Sequence, residues 1–190
     1  FEGQSILAPV WEFVNHSSFA PTFRANPYGV ETPPIQPSSN EILFKYSVKN
    51  SPIGMWKKYG FSCDCIVAYS VPLNIEIPGQ LLSVRCDGGL GLGSNEKQCF
   101  SIVGNVLHVK SLPVGCLSMG LPWQYFKSIF SSVGLSVEVA GQLFSKIREA
   151  NLKARYDLIN LLQDPGYGTE SQLYRALMYE VNLIEDSLIV

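Results

Sequence analysis

Between residues 136 and 163 the apolar positions keep a single period. Ala140, Leu143, Ile147, Ala150, Ala154, Leu158 and Leu161 recur at steps of three or four, which places them along one side of an α-helix. Gln142, Ser145, Lys146, Glu149, Lys153, Asp157 and Asn160 fill the other side. Glu149 with Lys153 and Lys153 with Asp157 are opposite charges four apart. Ser136 stands where an N-cap belongs, Glu138 falls in the first turn, and Asp164, Pro165 and Gly166 end the segment. At about 1.5 Å per residue such a helix is a rod of about 40 Å, which needs partners along its length.

Two further amphipathic helices flank it. Gly120, Leu121 and Pro122 mark a helix start, with Trp123, Phe126, Phe130 and Val133 on one face and Gly134 as the stop. Near the end of the chain Thr169 and Gln172 stand in capping-box positions. Leu173, Ala176, Leu177, Val181, Ile184 and Leu188 then form an apolar stripe.

Upstream the period changes to two. Ile42, Phe44, Tyr46 and Val48 alternate with Glu41, Lys45, Ser47 and Lys49, the signature of a half-buried strand. Ser51, Pro52 and Gly54 read as a break, after which Trp56 to Tyr59 lead into a second extended run over residues 61–69. Leu73, Ile75 and Ile77 alternate up to Pro78 and Gly79, and residues 80–86 make a shorter strand. Residues 99–103 and 106–110 flank Gly104 and Asn105, a two-residue link that reads as a β-hairpin. Residues 1–40 carry six of the twelve prolines, interleaved with Trp11, Phe13, Phe19, Phe23 and Tyr28. Proline keeps such a stretch extended and irregular, while the aromatics call for burial. These five residues are therefore expected to form an interface, on the chain's own body or on a neighbour.

The pattern predicts an α+β protein: an antiparallel sheet of about five or six strands, three C-terminal amphipathic helices, and a proline-rich N-terminal arm. Its segments are an arm over 1–40, a β region over 41–119, and a helical region over 120–190 packed on the sheet as one domain with it.

Composition changes this picture in one respect. Charged residues make up only 16% of the 190, while 46% are hydrophobic, against a usual charged share of about 25%. Mean hydropathy is +0.13. A surface so poor in charge is expected to be covered in part by other protein chains, as a homo-oligomer or a multi-subunit complex. The net charge of −2 from 14 basic and 16 acidic residues gives no general attraction for nucleic acid. Lys146, Arg148, Lys153 and Arg155 gather on the long helix, but Glu149 and Asp157 among them make this a solvated, salt-bridged face. No run reaches the roughly 20 apolar residues of a membrane-spanning helix, and no signal peptide is seen. The sequence starts at Phe1 rather than Met, which suggests a preceding segment removed either by processing or in preparing the chain.

Candidate chemistry is sparse. Gly89, Gly91 and Gly93 lie in a glycine-rich loop, but the following residues satisfy neither the dinucleotide nor the nucleotide-loop pattern, so a hairpin loop is the expectation. Five cysteines are an odd number, and reduced thiols inside a cell or an assembled particle are the simplest account. Asn15, His16 and Ser17 fit a glycosylation acceptor, a pattern too short to weigh against that. Cys63 and Cys65 point to one side of a strand and, with Cys86 and Cys99, could surround a tetrahedral zinc. Their spacing, mid-strand and with one residue between, departs from the usual turn-borne pairs, so no cofactor is expected. Cys116, before the first of the three helices, and His108, on the preceding strand, are the candidates for a thiol nucleophile and its base. Glu180, Glu185 and Asp186 read as exposed solubilising carboxylates. The expected function is a non-catalytic structural or interaction subunit of a larger assembly, such as a virion matrix or capsid component. The alternatives are a small thiol enzyme using Cys116 with His108, and a zinc-stabilised module.

Overall fold

The computed structural model describes residues 15–17, 20, 24–26, 29–31, 43–44, 51–61, 65, 67–76, 83–86, 100–117, 120–163 and 171–187. The chain divides into two compact units, Phe1–Val48 and Lys49–Val190.

In the first unit β1 (Asn15–His16) pairs in parallel with β4 (Leu43–Phe44). Between them in sequence, β2 (Arg24–Asn26) and β3 (Gly29–Glu31) form an antiparallel pair. The expected interface aromatics Trp11, Phe13, Phe19, Phe23 and Tyr28 lie outside the described residues.

The second unit opens with a helix where the sequence pattern suggests a break. In α1 (Pro52–Tyr59) the Ser51 hydroxyl accepts from the Gly54 N–H at 3.1 Å, and Pro52 occupies the first turn, where its missing N–H costs no helical bond. Gly60, at φ 77°, ends the helix by donating to the Trp56 carbonyl at 2.8 Å.

Six described strands follow. Four of them, β6 (Leu73–Glu76), β7 (Ser83–Cys86), β8 (Phe100–Val103) and β9 (Val106–Val109), form one sheet in the order β6-β7-β9-β8. β6 with β7 and β8 with β9 are antiparallel, but β7 and β9 are parallel. The hairpin at Gly104 and Asn105 is as expected, and it returns β9 into the place beside β7, leaving β8 at the sheet margin. A second ladder joins β5 (Val67–Tyr69) to β10 (Pro113–Cys116) in antiparallel register, with an irregularity between Pro113 and Gly115. β10 is not legible as a strand in the sequence, because Pro113 and Gly115 both disfavour one.

The register sorts the four-stranded sheet into two faces. Leu73, Cys86, Val109 and Phe100 stand side by side across it, as do Ile75, Val84, Leu107 and Ile102. Seven of these eight residues pack in or against the core, while Ile102, at the end of its row, is 50% exposed. The alternate rows are Asn74, Arg85, His108 and Ser101, then Glu76, Ser83, Val106 and Val103.

Three helices complete the unit: α2 (Leu121–Ser132), α3 (Val137–Leu162) and α4 (Gln172–Glu185). α2 ends in a Schellman arrangement, in which Gly134 N–H donates to the Ser131 carbonyl and Leu135 N–H to the Phe130 carbonyl. α3 starts at Ser136, whose hydroxyl accepts from Val139 N–H at 3.3 Å. The cap of α4 is Ser171 rather than Thr169, accepting from Tyr174 N–H at 3.2 Å. Trp123, Phe126, Phe130 and Phe144 pack as tilted ring pairs where α2 meets α3, and with Val84, Leu107, Val109 and Val114 they form one core under the sheet. α4 packs against α1, α3, β5 and β10. No described helix is long and apolar enough to cross a membrane.

The side of α3 that is buried is not the one its aliphatics mark out. Ala140, Leu143 and Ile147 are buried as expected, but the buried row then runs through Asn151, Arg155 and Ile159. Leu158 and Leu161 stay 47% and 62% exposed.

Candidate functional site

The densest polar chemistry among the described residues lies where α1, β5, α3 and α4 converge. Arg155 on α3 and Glu180 on α4 are 2% and 1% exposed, so neither is the solvated surface charge that its neighbours in sequence suggest. Arg155 Nε and Nη2 donate to Glu180 Oε2 at 2.9 and 2.6 Å. Nη2 also donates to the Tyr69 carbonyl at 2.7 Å, and Nη1 to Asn151 Oδ1 and the Asn151 carbonyl at 2.9 and 3.2 Å. Every guanidinium N–H therefore has an acceptor.

The partners are held in turn. Asn151 Oδ1 also accepts from Val71 N–H at 2.8 Å, and Asn151 Nδ2 donates to Ser70 Oγ at 3.0 Å and to the Ile147 carbonyl at 2.8 Å. The remaining oxygen of Glu180, Oε1, accepts from Ile53 N–H at 3.1 Å, at the positive end of α1. The whole constellation ties two helices of the C-terminal set to the first turn of α1 and to the exit of β5. The guanidinium has every N–H spent on protein, and both oxygens of the carboxylate, which is 1% exposed, already accept from protein donors, so the pair is held as structure rather than presented to a substrate. This cluster positions the fold.

A second junction lies at the end of β10. Gly115 approaches the backbone of Leu183 and Ile184 closely, and Cys116 N–H donates to Ser187 Oγ at 2.9 Å. Ser187 Oγ in turn donates to the Leu183 carbonyl at 2.8 Å, while Arg148 Nη2 donates to the Ile184 carbonyl at 2.5 Å. Burial lowers the pKa of the Arg148 guanidinium below its ordinary value. Nearby on the outside, Tyr156 OH donates to Glu185 Oε1 at 2.7 Å, and that bond raises the phenol's pKa.

The residues singled out from the sequence fall as follows. Cys116 closes β10 in the two-stranded ladder and is buried, whereas His108 belongs to β9 in the four-stranded sheet, beside Arg85 and Ser101. Of the proposed zinc ligands, Cys65 and Cys86 are buried and in thiol form, and Cys63 and Cys99 lie outside the described residues. No three His, Cys, Asp or Glu side chains gather in a metal-binding group among the described residues. Glu185 and Asp186 are exposed as expected. Thiol-directed labelling of the folded chain at neutral pH, mapped by peptide mass, is expected to modify Cys116 no faster than Cys65 or Cys86. Preferential modification of Cys116 favours the thiol-enzyme reading.

Arg155, Glu180, Asn151 and Ser70 are not legible as a group, yet a signal is present. Asn151 and Arg155 continue the steps of four from Ile147 to Ile159, and Glu180 stands midway between Ala176 and Ile184. Opposite charges set inside the apolar stripes of two neighbouring helices point to a buried pair. Comparison of the chain with protein-family models, curated proteins and solved structures gives no match.

Proposed function

We propose that this chain is a non-catalytic, self-associating subunit of a larger assembly, of which a virion matrix or capsid component is an example. One arrangement carries the reading. The C-terminal half of α3 turns Asn151 and Arg155 inward and Leu158 and Leu161 outward, the reverse of what a solvated helix does. With Ala154, these leucines make an aliphatic seam on an exposed face, beside the exposed Lys153–Asp157 ion pair. Aliphatic side chains so arranged gain about 25 cal/mol for each Å² that a second chain covers. The low charge of the whole sequence supports the same reading.

Light scattering over a range of protein concentrations tests it. The full chain is expected to exceed its 21.0 kDa monomer mass, and a Leu158→Lys/Leu161→Lys variant to dissociate at a concentration at least tenfold higher. A full chain that keeps the monomer mass throughout its soluble range overturns the proposal.

A further inference from the structure

The margin of the four-stranded sheet carries a second association surface. We propose that β8 pairs in antiparallel fashion with β8 of a second copy of this chain across a two-fold axis, joining the two sheets into one. The inference rests on the self-association reading above but uses a different part of the surface.

Among the described residues β8 has a neighbour on one side only, β9. Its sequence is Phe-Ser-Ile-Val, and Ile102 and Val103 are 50% and 64% exposed. Edge strands are ordinarily blunted by lysine, proline, bulges or an inward-pointing charge, because an open row of N–H and C=O groups recruits another strand. β8 has none of these, and its ladder with β9 is regular from Phe100 to Val103. An uncharged strand also meets its own copy without like-charge repulsion.

The register of the pairing follows from the hairpin. Val103 and Val106 flank the two-residue link, so they form a hydrogen-bonded pair, and the pattern alternates from there. Ser101 and Val103 therefore direct their backbone groups to β9, while Phe100 and Ile102 direct theirs to the open side. An isologous antiparallel partner must match open groups to open groups. Pairing Phe100 with Ile102 of the second copy, and the reverse, uses both residues of each strand and puts Ser101 opposite Ser101 on the axis. Any other register spends an open residue against the turn at Gly104 or against the chain before Phe100. The chosen one also sets an aromatic side chain against a β-branched one on the core-facing side.

Ser101 then forms a non-hydrogen-bonded pair with its own copy, with Cα atoms about 4.5 Å apart, inside the range a disulfide spans. The test is a Ser101→Cys variant in a Cys63→Ser/Cys99→Ser background, oxidised mildly and run without reductant, with Asn74→Cys on the opposite margin, in β6, as control. Ser101→Cys is expected to give a disulfide dimer in at least tenfold excess over Asn74→Cys. Ile102→Lys, checked for folding by its thermal transition, is expected to lower the associated mass. If the chain associates but the Ser101→Cys variant does not cross-link above the control, or Ile102→Lys folds and associates unchanged, the strand pairing is wrong while the assembly reading stands. If the unaltered chain is monomeric throughout, both fall.

Discussion

Glu180→Ala is expected to lower the free energy of unfolding by about 3–5 kcal/mol, because it removes one partner of a desolvated ion pair and leaves the other. The Arg155 guanidinium is 2% exposed and would keep its Asn151 and Tyr69 acceptors but lose both bonds to Glu180 Oε2. Ile53 N–H, in the first turn of α1, would lose its acceptor too. Set against the roughly 5–15 kcal/mol that holds a typical domain folded, this is a large share. Arg155→Met should cost as much, since it strands a carboxylate that is 1% exposed. The double variant Arg155→Met/Glu180→Ala should cost clearly less than the sum of the singles, as the pair's mutual dependence disappears with both members. It should not recover fully, because the Tyr69 carbonyl, Asn151 Oδ1 and Ile53 N–H still lose partners. Urea unfolding of the three variants, with unchanged slope, measures all three terms. A Glu180→Ala cost under about 1 kcal/mol, the range of exposed pairs, would mean that water reaches this junction.

The helices α2, α3 and α4 were legible because each has an amphipathic period and a conventional stop or cap, as at Gly134 and Ser136. The β-hairpin was legible from Gly104 and Asn105 alone. Other features failed for identifiable reasons. Ser51 and Pro52 read as a strand break, although a hydroxyl followed by proline is equally the start of a helix, and only the packing of Ile53 and Met55 decides between them. The parallel pairing of β7 with β9 depends on β8 lying outside β9 in the sheet, which no local alternation encodes. On α3, hydrophobicity marked Ala150, Ala154 and Leu158, while burial chose Asn151, Arg155 and Ile159, one position later on the wheel. Apolar periodicity assumes that interiors are apolar. Where a saturated polar cluster fills one, the aliphatic residues it displaces come to the surface, and the seam proposed for association begins from those exposed positions.

Gly115→Ala is expected to be the most damaging loss of a glycine among the described residues, by about 3 kcal/mol. A Cβ placed there would lie 2.5 Å from the carbonyl carbon and oxygen of Leu183 and 2.6 Å from Ile184 N, all of them backbone atoms. No rotamer change relieves such a contact. The strand or the last turn of α4 has to move, and α4 is held in place from several sides. Ser187 bonds both Cys116 N–H and the Leu183 carbonyl, and Arg148 holds the Ile184 carbonyl. Displacing α4 would leave buried groups at this junction unpaired, which adds to the overpacking. The glycine is needed for close approach, not for its backbone angle. Gly141→Ala makes the contrasting case. It sits inside α3 with its nearest neighbour, Trp123 Cη2, 3.9 Å from the added carbon, which is ordinary contact. Alanine there should stabilise by about 0.4–1 kcal/mol, through helix propensity and a less disordered unfolded chain. Thermal unfolding of both variants separates the two roles, with the transition falling for Gly115→Ala and rising for Gly141→Ala. A Gly115→Ala transition within a degree or so of the parent would mean that β10 and α4 stand further apart than these distances.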